Sequence, residues 1–212
     1  MNKLHPELWS LSVDRDRWVE RFIHPHARVK DWDGIISEEK EGSDIWSFPI
    51  FTKEFCRKVI EESEHQNVWV TDRHSNYPTT DFPLKEIGLH DVYDFVLKEY
   101  VFPIARYIWG LTGVEWGGNM THDTFVAKYS PDAQGHLSSH IDASSYSVTL
   151  ALNDDFTGGG TWYNRQKVLV KAPVGHMCLF PMPTHKHSGR WIDDGVRYII
   201  VSFCRVGMDN WG

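Results

Sequence analysis

The run YSVTLALN at residues 146–153 is rich in β-branched and aromatic residues, which predicts a β-strand. Similar runs recur after residue 115, separated by clusters of Gly, Pro and Asp. They are FVAKY (125–129), TWYN (161–164), KVLV (167–170), MCLF (177–180) and YIIVSFC (198–204). Many short strands joined by brief turns indicate a sandwich or a barrel, and a jelly roll is one such fold.

The sequence before this β-rich part has a different pattern. Residues 1–50 are polar and are expected to form an extension that wraps the core. A helix is expected at 52–65, where Thr52 can cap the first turn. Residues 71–84 are turn-rich and predict a loop.

A longer helix fits residues 90–109, with a kink or an interruption at Pro103 because proline cannot donate a helix hydrogen bond. We therefore expect an all-β core with N-terminal helices, in the form of a double-stranded β-helix (jelly roll). The N-terminal extension and supporting helices would occupy 1–114 and the β core 115–212, as one integrated domain.

Composition and charge exclude several classes of protein. The chain has 212 residues, a net charge of −7 and a pI near 5.9, and no block of basic residues, so we expect no nucleic-acid partner. No stretch approaches the roughly 20 apolar residues of a membrane span, and the N-terminus lacks the apolar run of a signal peptide. We therefore expect no membrane association, and the compartment stays unknown, with the cytoplasm as the default.

Three scattered cysteines, Cys56, Cys178 and Cys204, indicate buried free thiols.

A candidate metal site begins with His140 and Asp142, which form a His-x-Asp pair. Side chains at positions i and i+2 of a strand point to the same face, so both donors can reach one ion. Such a short motif is common by chance. Its significance comes from His187 downstream and from Arg197, ten residues beyond His187 on the last predicted strand.

Two imidazoles and one carboxylate on one face of Fe(II) form the facial triad of non-haem oxygenases, with three positions left open. Two positions suit 2-oxoglutarate and the third suits O2. The far carboxylate of 2-oxoglutarate then needs a buried cation, and the planar fork of Arg197 suits it better than a lysine would. Either histidine alone is as well explained as an ordinary polar residue near a turn, but the ordered set within a β-rich half favours the metal site.

The chain resembles the C-terminal catalytic domain of the procollagen-lysine 2-oxoglutarate 5-dioxygenases, the lysyl hydroxylases, over most of its length. The matching segments, in order, are RFIHP (21–25), WSFPIF (46–51), FVAKYSP (125–131), HIDAS (140–144), ALN (151–153), GGG (158–160), THKHSG (184–189) and RYIIVSF (197–203). The resemblance implies that His140, Asp142 and His187 are iron ligands and that Arg197 anchors 2-oxoglutarate. His185 could be mistaken for the ligand, but the ten-residue gap to the arginine favours His187.

Other residues have two interpretations. Tyr129 either contacts 2-oxoglutarate through its hydroxyl or packs in the core, and Thr149 could line the same pocket. The glycines at 158–160 most simply allow a turn at positive φ, with a close approach of substrate as the alternative. Trp162 and Tyr163 either flank the mouth of the pocket or pack in the core. Asp154 and Asp155 either attract a lysine ammonium or are simply solvated.

The resemblance implies C5 hydroxylation of lysine side chains in peptide or collagen-like substrates, with succinate and CO2 as co-products. It also implies ascorbate as the reductant and a possible homodimer. The 212 residues contain neither the glycosyltransferase-type domains nor the secretory signal of animal lysyl hydroxylases, which also commonly carry His where Ile141 stands. We therefore expect a free-standing viral or microbial relative, or a piece of a longer chain. The alternatives are the same chemistry on a prolyl, other protein or free amino acid substrate, and a non-catalytic binding module that retains the fold.

Overall fold

The computed structural model describes residues 2–74, 76–110 and 120–206. The helices lie before the β-rich half, as the sequence predicts. The α-helices are α1 (Arg15–Phe22), α2 (Pro25–Val29), α3 (Lys53–Gln66), α4 (His90–Val96) and α5 (Phe102–Trp109). Short 3-10 helices span Pro6–Ser12 and Leu84–Ile87. No helix in the described part of the chain has both the length and the apolar character of a membrane span.

Thirteen strands in the described residues form three sheets. They are β1 (Ser37–Glu38), β2 (Trp46–Pro49), β3 (Thr80–Pro83), β4 (Met120–Tyr129), β5 (Leu137–His140), β6 (Tyr146–Ala151), β7 (Thr157–Gly158), β8 (Thr161–Tyr163), β9 (Val168–Val170), β10 (His176–Pro181), β11 (His187–Gly189), β12 (Ile192–Asp194) and β13 (Arg197–Val206). The large sheet has the order β1-β2-β10-β6-β13-β4-β3, and the small sheet has the order β5-β11-β8-β9. A two-stranded ribbon joins β12 and β7. The predicted jelly-roll core with N-terminal helices is confirmed.

The two faces of the large sheet have different neighbours. On β13, Ile200 and Cys204 belong to the main hydrophobic cluster, which also contains buried residues of the helices. The alternate residues Ile199 and Val201 belong to a second cluster on the opposite face, with Phe125 of β4. Because strand side chains alternate between faces, one face of β13 packs against the helices and the other faces the interior of the jelly roll.

The predicted helix at 52–65 is confirmed as α3. Thr52 caps it, since the Thr52 hydroxyl accepts a hydrogen bond from the Phe55 amide at 3.4 Å. The apolar side of α3 is anchored by aromatic contacts, including Phe55 stacked on Phe51 with ring centroids 3.9 Å apart. This packing fixes the helices on the outer face of the large sheet.

The second predicted helix, at 90–109, is one helical segment with a change of pitch. A π-helical turn at Leu97–Val101 joins α4 to α5, and Pro103 lies in the first turn of α5. Proline has no backbone N–H to donate, and the wider π turn lies directly before the position where that hydrogen bond is missing. The expected interruption is therefore a local π bulge, and the chain continues as a helix beyond it.

One expectation for the N-terminal half, the loop at 71–84, is wrong in detail. The stretch 71–84 includes β3, which pairs with β4 at the edge of the large sheet, where Pro83 is tolerated. Residues 1–50 include β1 and β2, which extend the other edge of that sheet: β2 pairs with β10, and β1 pairs with β2. The predicted boundary between 114 and 115 lies within 111–119, outside the described residues.

Candidate active site

Three ligand-type side chains meet between the two sheets. His140 is the last residue of β5 and lies directly opposite His187, the first residue of β11. Asp142 lies just beyond β5, so the expectation that the His-x-Asp pair shares one strand is wrong for Asp142. The chain turns after His140 and still brings the carboxylate back to the two imidazoles, while Ile141 between them is exposed.

The donor atoms of the three side chains converge. Each of the three residues offers a ligand atom, and these atoms all lie within 4.8 Å of one another. Asp142 Oδ1 lies 3.1 Å from His140 Nε2, and Asp142 Oδ2 lies 3.7 Å from His187 Nε2. All three side chains are buried.

Backbone carbonyls orient both imidazoles. The Nδ1 atom of His140 lies 2.8 Å from the Ser138 carbonyl, and that of His187 lies 2.9 Å from the His185 carbonyl. A protonated Nδ1 donates to each carbonyl, which leaves the Nε2 lone pair directed at the carboxylate. Asp142 Oδ1 is buried without a hydrogen-bond partner. Three lone-pair donors that face one another in a buried site fit a divalent cation between them.

The electrostatics of the cluster favour an ionised carboxylate. Burial would raise the pKa of Asp142, but His140, His187 and the Ser147 hydroxyl together lower it on balance. Burial would lower the pKa of His140, and Asp142 outweighs it and raises that pKa. Burial lowers the pKa of His187. A metal ion needs an ionised carboxylate and two neutral imidazoles, so its binding would release any proton that His140 holds.

Arg197 is a partly buried cation beside this cluster. Its guanidinium donates to the Gly160 carbonyl at 3.3 Å and to Thr161 Oγ1 at 3.4 Å, and it makes no ion pair with a carboxylate of the described residues. Burial lowers its pKa. A buried charge with only neutral partners is costly, and an anionic ligand would compensate it.

One cavity of about 410 Å³ brings the sequence-predicted residues together. It is lined by the triad, by Arg197 and by the two further candidates, Tyr129 and Thr149. Tyr129 pairs with Arg197 across β4 and β13, and the Arg197 Cζ lies 5.9 Å from the Tyr129 ring centroid. Burial raises the pKa of Tyr129 to about 12, so its hydroxyl is a hydrogen-bond donor at neutral pH.

The remaining candidates lie outside this cavity. His185 is held away from it, because its Nε2 lies 2.8 Å from the Ser43 carbonyl. Tyr163 is fully buried, with its ring centroid 5.7 Å from that of His187, and is a core residue. Asp154 lines a separate cavity of about 270 Å³ on the other side of Arg197. The glycines at 158–160 have φ values of 76°, 63° and 96°, which confirms the predicted turn.

Sequence reasoning missed several residues around the site. Ser147 donates to Asp142 Oδ2, and its position two residues before Thr149 on the same strand face was the available signal. Arg73 lines the cavity and is paired with the fully buried Asp81, which also has His74 Nε2 3.7 Å away. Arg73, His74 and Asp81 all lie in the stretch 71–84, which the sequence predicted to be a loop.

A jelly roll whose interior holds a His-Asp-His cluster and a partly buried arginine is the architecture of the 2-oxoglutarate- and Fe(II)-dependent oxygenases. The chain belongs to the OGFOD2-like domain family, whose model matches residues 1–114. That family match covers the helical half and the first strands, whereas the cluster lies in the second half.

Relatives match almost the whole chain. It is 33% identical over 215 residues to the rat multifunctional procollagen lysine hydroxylase and glycosyltransferase LH3, covering 94% of this chain. It is 32% identical over 221 residues to mouse procollagen-lysine,2-oxoglutarate 5-dioxygenase 2, again over 94% of the chain. The chain spans about 28% of the length of both relatives. The predicted resemblance to the lysyl hydroxylases is confirmed.

The fold has a solved counterpart. The viral collagen prolyl hydroxylase of Paramecium bursaria Chlorella virus-1, in its 2OG complex, superposes with a TM-score of 0.59 at 15% identity. The superposition covers 79% of this chain and 98% of that one. At this identity the match supports the jelly-roll fold of 2-oxoglutarate oxygenases and nothing finer.

Proposed function

We propose that the chain is an Fe(II)- and 2-oxoglutarate-dependent dioxygenase that hydroxylates lysine side chains at C5 in peptide or collagen-like substrates. The observation that carries the proposal is the presence, in one cavity, of three converging lone-pair donors and an arginine that has no carboxylate partner among the described residues. The names of the relatives support the reaction class and the choice of lysine.

In this proposal His140, Asp142 and His187 hold the iron, and Arg197 binds the distal carboxylate of 2-oxoglutarate. When bound, the metal and 2-oxoglutarate supply the oxidising chemistry: O2 is consumed, 2-oxoglutarate becomes succinate and CO2, and one oxygen atom enters a substrate C–H bond. Ascorbate as the reductant and a homodimer as the assembly are carried over from the resemblance alone.

The other cavity residues bind, orient and exclude water. Tyr129 is proposed to donate a hydrogen bond to 2-oxoglutarate, and Thr149 to line the same subsite. Apolar side chains cover the opposite wall, among them Phe125, Leu137 and Val201. A dry wall of this kind keeps water from the reacting atoms and strengthens the electrostatic contacts inside the cavity.

A prolyl substrate is the second candidate, and one observation favours it. Asp142 is the only acidic residue among the described residues that line the cavity, so a lysine ammonium has no carboxylate of its own there. Arg73 also lines the cavity, and its charge is already paired with the buried Asp81. A proline side chain would need no such partner.

The test is to mix the protein anaerobically with Fe(II), 2-oxoglutarate and either of two peptides, one with a single lysine among prolines, the other with the same prolines and no lysine. Oxygen is then admitted, and products are mapped by tandem mass spectrometry. One added oxygen atom on lysine, absent in His140→Ala, is the expected result. An added oxygen atom on proline would mean that the substrate is prolyl rather than lysyl, with the same reaction. Absence of succinate from protein that demonstrably holds iron would refute the enzyme and favour a binding module.

A further inference from the structure

A groove of about 520 Å³ lies beside the metal cavity and shares three residues with it, Asn76, Tyr77 and Leu137. Tyr77 is 40% exposed and its ring centroid lies 5.1 Å from that of His140. The groove therefore opens directly onto the cavity, so a chain that fills it can place one side chain beside the triad.

Trp191 forms the far wall of the groove and is held in a fixed position. His136 stacks on the indole with ring centroids 3.9 Å apart and an interplanar angle of 20°. Gly135 leaves the space for this packing, because a Cβ there would lie 2.9 Å from Trp191 Cε3. The Trp191 carbonyl accepts a 2.6 Å hydrogen bond from the Gly159 amide, which anchors the backbone.

The indole is nevertheless 60% exposed. A single exposed apolar residue on a protein surface is ordinary and needs no explanation. Trp191 differs because the stacked imidazole covers one part of it and fixes it at the wall of a groove that leads to the metal cavity. A rigid aromatic surface with an open face is typical of binding sites, because little conformational entropy is lost when a ligand packs on it.

The lining of the groove indicates the chemistry of the ligand. Among the described residues that line it there is no Asp, Glu, Lys or Arg. Leu137 and Ser138 of β5 form part of the wall, and β5 is the outermost strand of the small sheet. An extended chain in the groove therefore runs beside a strand edge, over uncharged side chains and aromatic rings, which are the features that recognise extended and proline-rich peptides.

We propose that this groove, bounded by Trp191, His136 and Tyr77, binds an extended, uncharged, proline-containing segment of the substrate polypeptide. A prolyl ring packs on the open face of Trp191 while the target side chain of the same polypeptide enters the metal cavity. The inference rests on the proposed function for the fate of the target side chain, and it assigns the substrate to polypeptides rather than free amino acids.

The test is a binding titration that needs no turnover. Two fluorescein-labelled peptides each carry one lysine: in one the lysine is flanked by Pro-Pro-Gly repeats, and in the other glutamates replace the prolines. Fluorescence anisotropy gives the Kd of each peptide for the 212-residue chain. We expect the proline peptide to bind more tightly than the glutamate peptide, and Trp191→Ala to raise its Kd by about fivefold or more.

Three variants make the result specific. Trp162→Ala is the matched control, because Trp162 packs against Arg190 and lies outside the groove. It should leave the Kd unchanged. Trp191→Phe keeps an aromatic face and should restore most of the affinity, while Gly135→Ala should weaken binding by displacing the indole.

The proposal is overturned if the wild-type chain binds neither peptide, binds both equally, or binds as tightly after Trp191→Ala. An equal loss in Trp162→Ala and Trp191→Ala would also overturn it, since the effect would not belong to the groove. A protein that binds the proline peptide through Trp191 but forms no succinate with Fe(II) and O2 would refute the proposed function and leave the groove assignment standing.

Discussion

Ser147 donates a 2.6 Å hydrogen bond to Oδ2 of Asp142, whose other oxygen is buried without a hydrogen-bond partner. The hydroxyl therefore fixes the carboxylate and leaves Oδ1 available to a cation. Residues that orient metal ligands in this way typically contribute tenfold or more to metal affinity. We expect Ser147→Ala to weaken metal binding by about 10- to 100-fold.

The measurement is a calorimetric titration with Mn(II), which accepts the same nitrogen and oxygen ligands as Fe(II). Ser10→Ala is a suitable control, since the Ser10 hydroxyl donates to the Glu7 carbonyl within the first 3-10 helix and does not line the metal cavity. Equal Mn(II) affinity in Ser147→Ala and wild-type protein would show that Ser147 does not support the ligand.

Arg197 has opposite consequences for stability and for binding. Its partly buried guanidinium has only neutral partners among the described residues, so its charge is poorly compensated until an anion binds. We expect Arg197→Met to abolish 2-oxoglutarate binding while the free energy of unfolding stays within about 1 kcal/mol of wild type or rises. Urea denaturation without ligand and a 2-oxoglutarate titration measure the two effects. A loss of stability well beyond that range would mean that the arginine is structural.

The site residues were largely predictable from the sequence. His140, Asp142, His187 and Arg197 carry chemistry that few other residue types supply, and their order in a β-rich half made the set specific. Thr149 was placed by strand periodicity, which is local and therefore readable, whereas Tyr129 was placed by the resemblance to related oxygenases.

Other features depend on contacts between distant segments and have no local signal. The edge strand β3 contains Asp81 and Pro83, residues that disfavour strands, and it forms because β4 is available to pair with it. The stacking of His136 on Trp191 joins two turns that are far apart in the sequence. The change of direction after β5 that brings Asp142 back to the imidazoles is likewise set by tertiary packing.

The hydroxyl of Tyr129 separates the two interpretations of that residue. It lines the metal cavity beside Arg197 and donates to no atom of the described residues. If it binds the carboxylate of 2-oxoglutarate, Tyr129→Phe removes a hydrogen bond to a charged group, which is worth about 1.5–3 kcal/mol. We expect the KM for 2-oxoglutarate to rise about tenfold or more, with little change in the free energy of unfolding. An unchanged KM would make Tyr129 a core residue only.

The metal-free protein should lose stability as the pH falls below neutrality. Burial lowers the pKa of His24, His122, His176 and His187 below the ordinary value of 6.5. The unfolded chain takes up protons at that ordinary pKa while the folded chain resists, so below about pH 6.5 the unfolded state binds more protons. The raised pKa of His140 acts in the opposite direction.

Four histidines have a lowered pKa and one has a raised pKa. We therefore expect the free energy of unfolding to decrease as the pH falls from about 7.5 to about 5.5. Urea denaturation across this range measures it. His122→Gln should make the dependence shallower, because it removes one of the four groups. Greater stability at the acidic end would contradict the lowered pKa values of these histidines.

Gly158 holds the turn that supports the carbonyl of Trp191. Its φ is +76°, and a Cβ there would lie 2.5 Å from the Trp191 carbonyl oxygen and 2.8 Å from Asp193 Oδ2. Gly42 has a similar φ of +71° with nothing within 4 Å of the corresponding Cβ. Both Gly→Ala substitutions incur the left-handed backbone penalty of roughly 1–2 kcal/mol, but only Gly158→Ala adds a clash with backbone. We expect Gly42→Ala to cost about 1 kcal/mol and Gly158→Ala at least about 3 kcal/mol in the free energy of unfolding. Equal losses in urea denaturation would mean that the backbone around Trp191 yields, and Trp191 would then not be held rigidly at the groove.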